Sequence, residues 1–279
     1  PDLPQAALFD YLFVYSNALL GSERPDEAEP LLREAMELDF ATADRPDRQR
    51  GIHANLAQIL QRRGPLEEAI QHGYHALALA EQVHPPLHSR RGQALSNLAS
   101  TLIGAGRSGE AAEMAAEALR VYQAVYPDPR HPRVAAAHNN LGNALVDAGR
   151  LSEAEPHLDA ARSLARDLFG PRDMRYATAP ANLGTLVGRL GLHAEGEALL
   201  LEALDLRRSV LGEDHATVGA TLGLLAELEL SRDRPARALD RADQALDLYR
   251  RIGWEVPAGL LFALERRARA LDGLDRPLE

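Results

Sequence analysis

The chain has no cysteine and no lysine, a single tryptophan, and aromatic residues at only 5% of its 279 positions. Each shortage removes a class of chemistry. Without cysteine there is no disulfide framework, no thiol nucleophile and no thiolate metal site. The 46% hydrophobic content is mostly alanine and leucine, which favours closely packed helices over a sheet rich in valine, isoleucine, threonine and aromatics. No apolar run reaches the roughly eighteen residues of a membrane span. The opening PDLPQAALFDYLF has neither a basic secretory start nor an initiator methionine, so a fragment of a longer, cytoplasmic protein is expected. All 31 basic residues are arginine, a usage that hints at a GC-rich genome, and the net charge is −10. That balance argues against nucleic acid as the main partner, because phosphate binding depends on local positive charge.

What the chain does have is a repeat. Asn140-Leu141-Gly142 returns 42 positions later as Asn182-Leu183-Gly184; it occurs 43 earlier as Asn97-Leu98-Ala99 and a further 42 earlier as Asn55-Leu56-Ala57. A turn follows each time: Gly106-Arg107 and Gly149-Arg150, with Arg63-Gly64 and Gly191-Leu192 as variants. Then come two alanines seven apart, as in Ala28/Ala35, Ala69/Ala76, Ala111/Ala118, Ala154/Ala161 and Ala238/Ala245; Gly196/Ala203 takes those places in the fifth copy. About fifteen helical residues, a short turn and about seventeen more make an antiparallel helix pair. Small residues at Ala57, Ala99, Gly142, Gly184 and Ala226 let the two helices approach closely, and the paired alanines share one face of the second helix. One such pair cannot bury its apolar face alone, so stacking is obligatory.

This pattern, completed by the L-G-x-D-H-x-x-V link at Leu211–Val218, resembles the tetratricopeptide repeat. More narrowly, it is similar to the long 42-residue variety of kinesin light chains and many bacterial multidomain proteins. The resemblance covers the chain from about Phe9 to Glu279 and implies an all-α, right-handed superhelical solenoid. One solenoid domain is expected, with repeats near 9–49, 50–91, 92–134, 135–176, 177–218 and 219–260 and a terminal helix over 261–274. The first repeat is degenerate, with Tyr15-Ser16 in place of Leu-Gly and Glu23-Arg24 in place of Gly-Arg. The sixth has Leu224-Leu225-Ala226 and has lost its asparagine. The terminal helix is expected to turn Leu260, Leu261, Leu264, Ala268 and Leu271 inward. Asp275-Arg276-Pro277 echoes Asp233-Arg234-Pro235, so the array is expected to be open there, with self-association through the last repeat as one use of it.

Candidate chemistry is sparse. His72 and His75 are three apart on a helix with no carboxylate in a ligand pattern, His84 and His88 span Pro85-Pro86, and His215 sits in the link, where it serves the turn. Glu67-Glu68 falls on an outward helix position. No HExxH, P-loop, GxGxxG or GxSxG pattern occurs. No enzymatic activity, metal or cofactor is expected.

The asparagine column is the exception. Asn55, Asn97, Asn140 and Asn182 lie several residues inside their helices, so they are not caps, and the neighbouring leucine already fills the core position. The resemblance implies that these residues face a groove where amides contact the backbone of a bound extended peptide; hydrogen-bonded bridges between adjacent repeats are the alternative role. Asn139, Asn143, Gln58 and Thr185 extend the strip, and Arg62 and Arg189 lie at its edge. The lysine-arginine clamp of the family's chaperone-tail binders is missing. The expected function is a scaffold for a protein or peptide segment, with no nucleic acid and no membrane; a regulatory arm of a bacterial signalling enzyme and a self-assembly module are the alternatives.

Overall fold

The computed structural model describes residues 4–22, 24–38, 45–253 and 257–274. Among the described residues it contains thirteen helices and no strand. Two compact units divide the chain, Pro1–Pro129 and Arg130–Glu279. The first holds three helix pairs: α1 (Gln5–Gly21) with α2 (Pro25–Glu37), α3 (Arg45–Arg63) with α4 (Leu66–Val83), and α5 (Ser89–Gly104) with α6 (Ser108–Val125). The second holds α7 (Pro132–Asp147) with α8 (Leu151–Phe169), α9 (Thr178–Arg189) with α10 (His193–Leu211), α11 (Ala216–Ser231) with α12 (Pro235–Arg251), and then α13 (Pro257–Asp272). Consecutive helices pack as pairs, and each pair packs on the next within its unit. The pairs follow the sequence register.

The turn inside each pair has a simple cause. Gly106 and Gly149 take φ of +73° and +75°, a left-handed conformation that glycine adopts without a Cβ penalty. The next residue donates its backbone N–H back into the helix, Arg107 to Leu102 O at 2.9 Å and Arg150 to Leu145 O at 2.8 Å. That arginine then forks onto a glutamate three residues on: Arg107 to Glu110 and Arg150 to Glu153, as Arg24 does to Glu27. The Gly-Arg motif is therefore a stop signal followed by a staple on the first turn of the second helix. Asp233 holds the same place in the sixth repeat with φ of 55°, within reach of a short polar side chain.

The links between pairs end in a recurring cap. His88, His131 and His215 each accept the backbone N–H two residues on through Nδ1, at 3.2–3.3 Å, and Asp173 does the same for Arg175 at 2.9 Å. This bears out the turn role of His215 and extends it to a column of four. Helix contact within a pair depends on small residues. A Cβ at Gly142 would stand 2.5 Å from the Leu158 side chain, and one at Gly184 would stand 3.0 Å from the Gly196 carbonyl.

One expectation needs correction. Leu264 does not turn inward but is exposed, because α13 has no following second helix among the described residues to cover it. Ala270 and Leu271 of α13 are buried. Glu23, Asp275, Arg276 and Pro277 lie outside the described residues, as do the side chains of Leu260 and Leu261.

Candidate binding cleft

In the first unit, the first helices of successive pairs lie side by side and form an open cleft of about 390 Å³. Phe13 of α1, residues of α3 from Arg50 to Gln61, and residues of α5 from Gln93 to Thr101 line it. Five of its lining side chains are amides: Asn55, Gln58, Gln61, Gln93 and Asn97. Gln58, Asn97 and Ser100 are exposed and Asn55 is half-buried. Amides offer two donors and an acceptor each, whatever the pH. Arg50, buried at the cleft wall, is held by Asp47 at 2.8 Å. The cleft is thus dominated by uncharged hydrogen-bonding groups.

The amides also bridge helices. Asn55 donates to Asn17 Oδ1 at 2.7 Å, and Gln61 donates to the Ser100 carbonyl at 3.0 Å. In the second unit Asn182 donates to Asn139 Oδ1 at 2.8 Å. Asn17 lies three positions after the column in its repeat and Asn139 lies one before it; those places are one turn apart on the same helix face. A bridge engages one of the two amide hydrogens, so contact with a ligand is not forfeited. Both roles assigned to the column are therefore chemically open to the same residue.

The other strip residues are distributed differently. Arg62 is exposed beside Leu20 and Pro25, away from the cleft centre. Asn139 and Asn140 border an alanine-floored cavity of about 300 Å³ that also includes Phe169 and Arg175, the guanidinium lying 4.1 Å from the ring centre. Asn143 is half-buried on the same helix. Thr185 and Arg189 border a smaller apolar cavity of about 100 Å³ with Leu224, Leu228 and Phe262. Thr185 returns its hydroxyl to Ala181 O, and Arg189 donates to Val146 O at 3.2 Å. Reading the asparagine column alone missed Gln93, Gln61, Phe13 and Arg50. Gln93 had a signal, since it lies one helical turn before Asn97.

Histidine supplies a second constellation, one that no short spacing in the sequence marks. His53 and His72 meet at 2.7 Å between their Nδ1 atoms, and His138 and His157 meet at 3.0 Å. Each pair joins the first and second helix of one repeat, and each has its members 19 residues apart. Burial, and then His72 and His75, hold His53 down to about 4. Burial and His157 do the same for His138. At the same rank the first, third and fifth repeats carry Leu12/Leu31, Leu95/Met114 and Pro180/Leu199. His84 and His88 also come together, their rings stacked at 4.2 Å, with His84 3.0 Å from Asp47. Among the described residues no group of three His, Asp or Glu side chains is placed to hold a metal ion.

The tetratricopeptide repeat family profile matches residues 49–124, 133–188 and 175–251. This chain belongs to the tetratricopeptide repeat family. Solved structures share its fold. A Podosopora anserina kinesin light chain of nearly identical TPR-like repeats has a TM-score of 0.60 at 18% identity, covering 77% of this chain and 100% of its own. BtubC (BKLC) from P. vanneervenii has a TM-score of 0.58 at 20% identity, covering 90% and 93%. A Rap protein complexed with Competence and Sporulation Factor has a TM-score of 0.63 at 15% identity, covering 96% and 86%. At these identities the likeness is one of fold. No curated protein sequence matches the chain. No helix among the described residues is long and apolar enough to cross a membrane.

Proposed function

We propose that this tetratricopeptide repeat chain is a protein-interaction scaffold that captures an extended segment of a protein partner in the cleft of its first unit. The observation that carries the reading is the run of five amide side chains across α3 and α5 around one open cleft. An extended backbone presents donors and acceptors on both sides, and asparagine or glutamine can answer either. Neutral hydrogen bonds net about 0.5–1.5 kcal/mol each, so a handful gives only a few kcal/mol. A micromolar complex needs about 8 kcal/mol. Burial of ligand side chains against the half-buried Phe13 and Ala54 supplies the difference, and those contacts set selectivity. The uncharged lining makes binding only weakly sensitive to salt.

The test is a peptide-display selection against the whole chain, followed by calorimetry on the selected peptide. Gln93→Ala/Asn97→Ala removes two cleft amides and is expected to weaken binding by about 1–3 kcal/mol, two hydrogen bonds at that range. Selected peptides whose affinity ignores this variant would place capture elsewhere.

A further inference from the structure

The alanine-floored cavity of the second unit lies where other repeats place a large side chain of their own. With Asn140 aligned on Asn97, Asn182 and Leu224, the rank of Ala135 is held by Gly92, Ala177 and Gly219. With Ala161 aligned on Ala118, Ala203 and Ala245, the rank of Ala165 is held by Tyr122, Arg207 and Tyr249. In the second repeat the two ranks are Arg50 and Ala80. From the second repeat to the sixth, one of the two residues is therefore large everywhere but in the fourth, where both are alanine.

The contacts of the large residue define the space it fills. A Cβ on Gly92 would stand 2.7 Å from the Tyr122 ring, and one on Gly219 would stand 2.8 Å from Tyr249 Cζ. The Tyr249 hydroxyl occupies the room beside Gly259 and donates to the Ala216 carbonyl at 3.4 Å. Arg207 takes the corresponding corner in the fifth repeat, donating to the Thr217 carbonyl and the Thr221 hydroxyl. The counterparts of these neighbours line the cavity: Pro132 for Ala216, Ala135 for Gly219, Arg175 for Thr217 and Gly259, and Ala179 for Thr221. With Ala165 in place of the tyrosine, about 300 Å³ stays open. Its wall is built from α7, α8 and α9, so the opening lies within the stack of pairs and not at an end of it.

We propose that this cavity receives a tyrosine side chain of a protein partner, seated as Tyr249 is seated in the sixth repeat. An arginine, the fifth repeat's own solution, would meet a like charge here. The Arg175 guanidinium already lies over the Phe169 ring and engages Asp173 at 2.8 and 2.9 Å. A neutral ring finds alanine beneath it, Phe169 beside it and a guanidinium to stack on. Asn140 borders the cavity, half-buried, and its amide has no hydrogen-bond partner among the described residues. That amide is open to the backbone of the chain that carries the ring, which favours a peptide over a free aromatic molecule. The cavity shares no residue with the cleft of the first unit, and its occupant does not depend on what the cleft binds.

The experiment records alanine-methyl NMR spectra of the whole chain during three titrations: the blocked pentapeptide Ala-Ser-Tyr-Ser-Ala, its counterpart with leucine for tyrosine, and p-cresol as the bare ring. The tyrosine peptide is expected to shift the Ala135, Ala161 and Ala165 methyls saturably, with an affinity about tenfold above either control. Ala135→Gly/Ala165→Tyr installs the sixth repeat's own pair. It should abolish these shifts while melting no lower than the native chain, since the added ring fills the cavity. No saturable shift at these methyls in the native chain, or equal binding by native and variant chains, would overturn the proposal. So would p-cresol binding as tightly as the peptide, because the occupant would then be a small aromatic molecule. A concentration-dependent dimer that the variant abolishes would overturn it too, because a second copy of this chain would be the occupant.

Discussion

In both units a column asparagine bridges to a neighbouring repeat, Asn55 to Asn17 and Asn182 to Asn139, but in the first unit Asn55 and Asn97 also stand around an open cleft with Gln58, Gln61 and Gln93, whereas in the second Arg189 is tied to the Val146 carbonyl. The cavities of the second unit are floored instead by alanine near Asn140 and by Leu224, Leu228 and Phe262 near Thr185. One repeated column therefore serves two chemistries. Where its neighbours are amides and serine, asparagine adds to a hydrogen-bonding surface. In the second unit the cavities beside it are largely apolar, so the asparagine adds no comparable surface, and by the sixth repeat Leu224 has replaced it. The residues around a column decide its role.

The largest effect should come from what the two units share. A folded-state value of about 4 for His53 and for His138, against about 6.5 in an unfolded chain, means that the unfolded chain binds more protons between those values. The contribution to stability is then complete above about pH 6.5, is lost as the pH falls toward 4, and levels off below that. A difference of this size corresponds to at most about 3 kcal/mol per histidine. Glu68, 3.9 Å from His72 Nε2, works against the loss in the first unit. Installing the third repeat's residues, His53→Leu/His72→Met, should flatten the pH dependence of urea unfolding for the first pair, and His138→Leu/His157→Met should do so for the second. An unchanged slope in both variants would remove the histidine pairs from the account.

A smaller effect separates the units by backbone approach. Ala69, Ala111 and Ala154 hold the rank at which the fifth repeat has Gly196. There a Cβ would stand 2.8 Å from the Gly184 carbonyl and 3.1 Å from the Gly188 backbone, neither of which can swing aside. Gly196→Ala should destabilise the chain by about 1–3 kcal/mol as an overpacked contact, read by chemical denaturation, although it restores the repeat's own consensus. A neutral result would mean that α9 and α10 can separate slightly at no cost.

The smallest effect concerns the asparagines themselves. Asn182→Ala breaks the half-buried bond to Asn139 and should cost about 1 kcal/mol, while Asn97→Ala, at an exposed position, should leave the melting temperature near that of the native chain. Equal losses at the two sites would erase the distinction between a bridging and a surface-facing asparagine.

Much of the fold was legible because steric requirements recur at fixed spacing. Gly142 and Gly184 mark helix approach, Gly106 and Gly149 mark the turn, and Pro and Gly end the second helices. The cleft was legible only in part. Asn55, Gln58 and Asn97 stand out by repetition, but Gln61 and Gln93 occur in one repeat each and Phe13 lies in the degenerate first copy, so the repeat period does not flag them; for Gln93 only the helical spacing to Asn97 does. The histidine pairs are hidden for a different reason: each joins two helices across a turn, so neither shows as the three- or four-residue spacing that marks one face of a helix. Their signal was the recurrence of the 19-residue interval, 85 positions apart. Leu264 was misread because its rank is buried only when a second helix follows.

The most direct measurement is paired calorimetry and thermal melting on Asn55→Ala/Asn97→Ala with a display-selected peptide. Capture in the cleft predicts affinity lower by about 1–3 kcal/mol, two hydrogen bonds at the neutral range, with a melting temperature changed by no more than the loss of the Asn55–Asn17 bond. A melting temperature lowered by many degrees with affinity intact would show that these asparagines hold the repeats together and do not bind the partner.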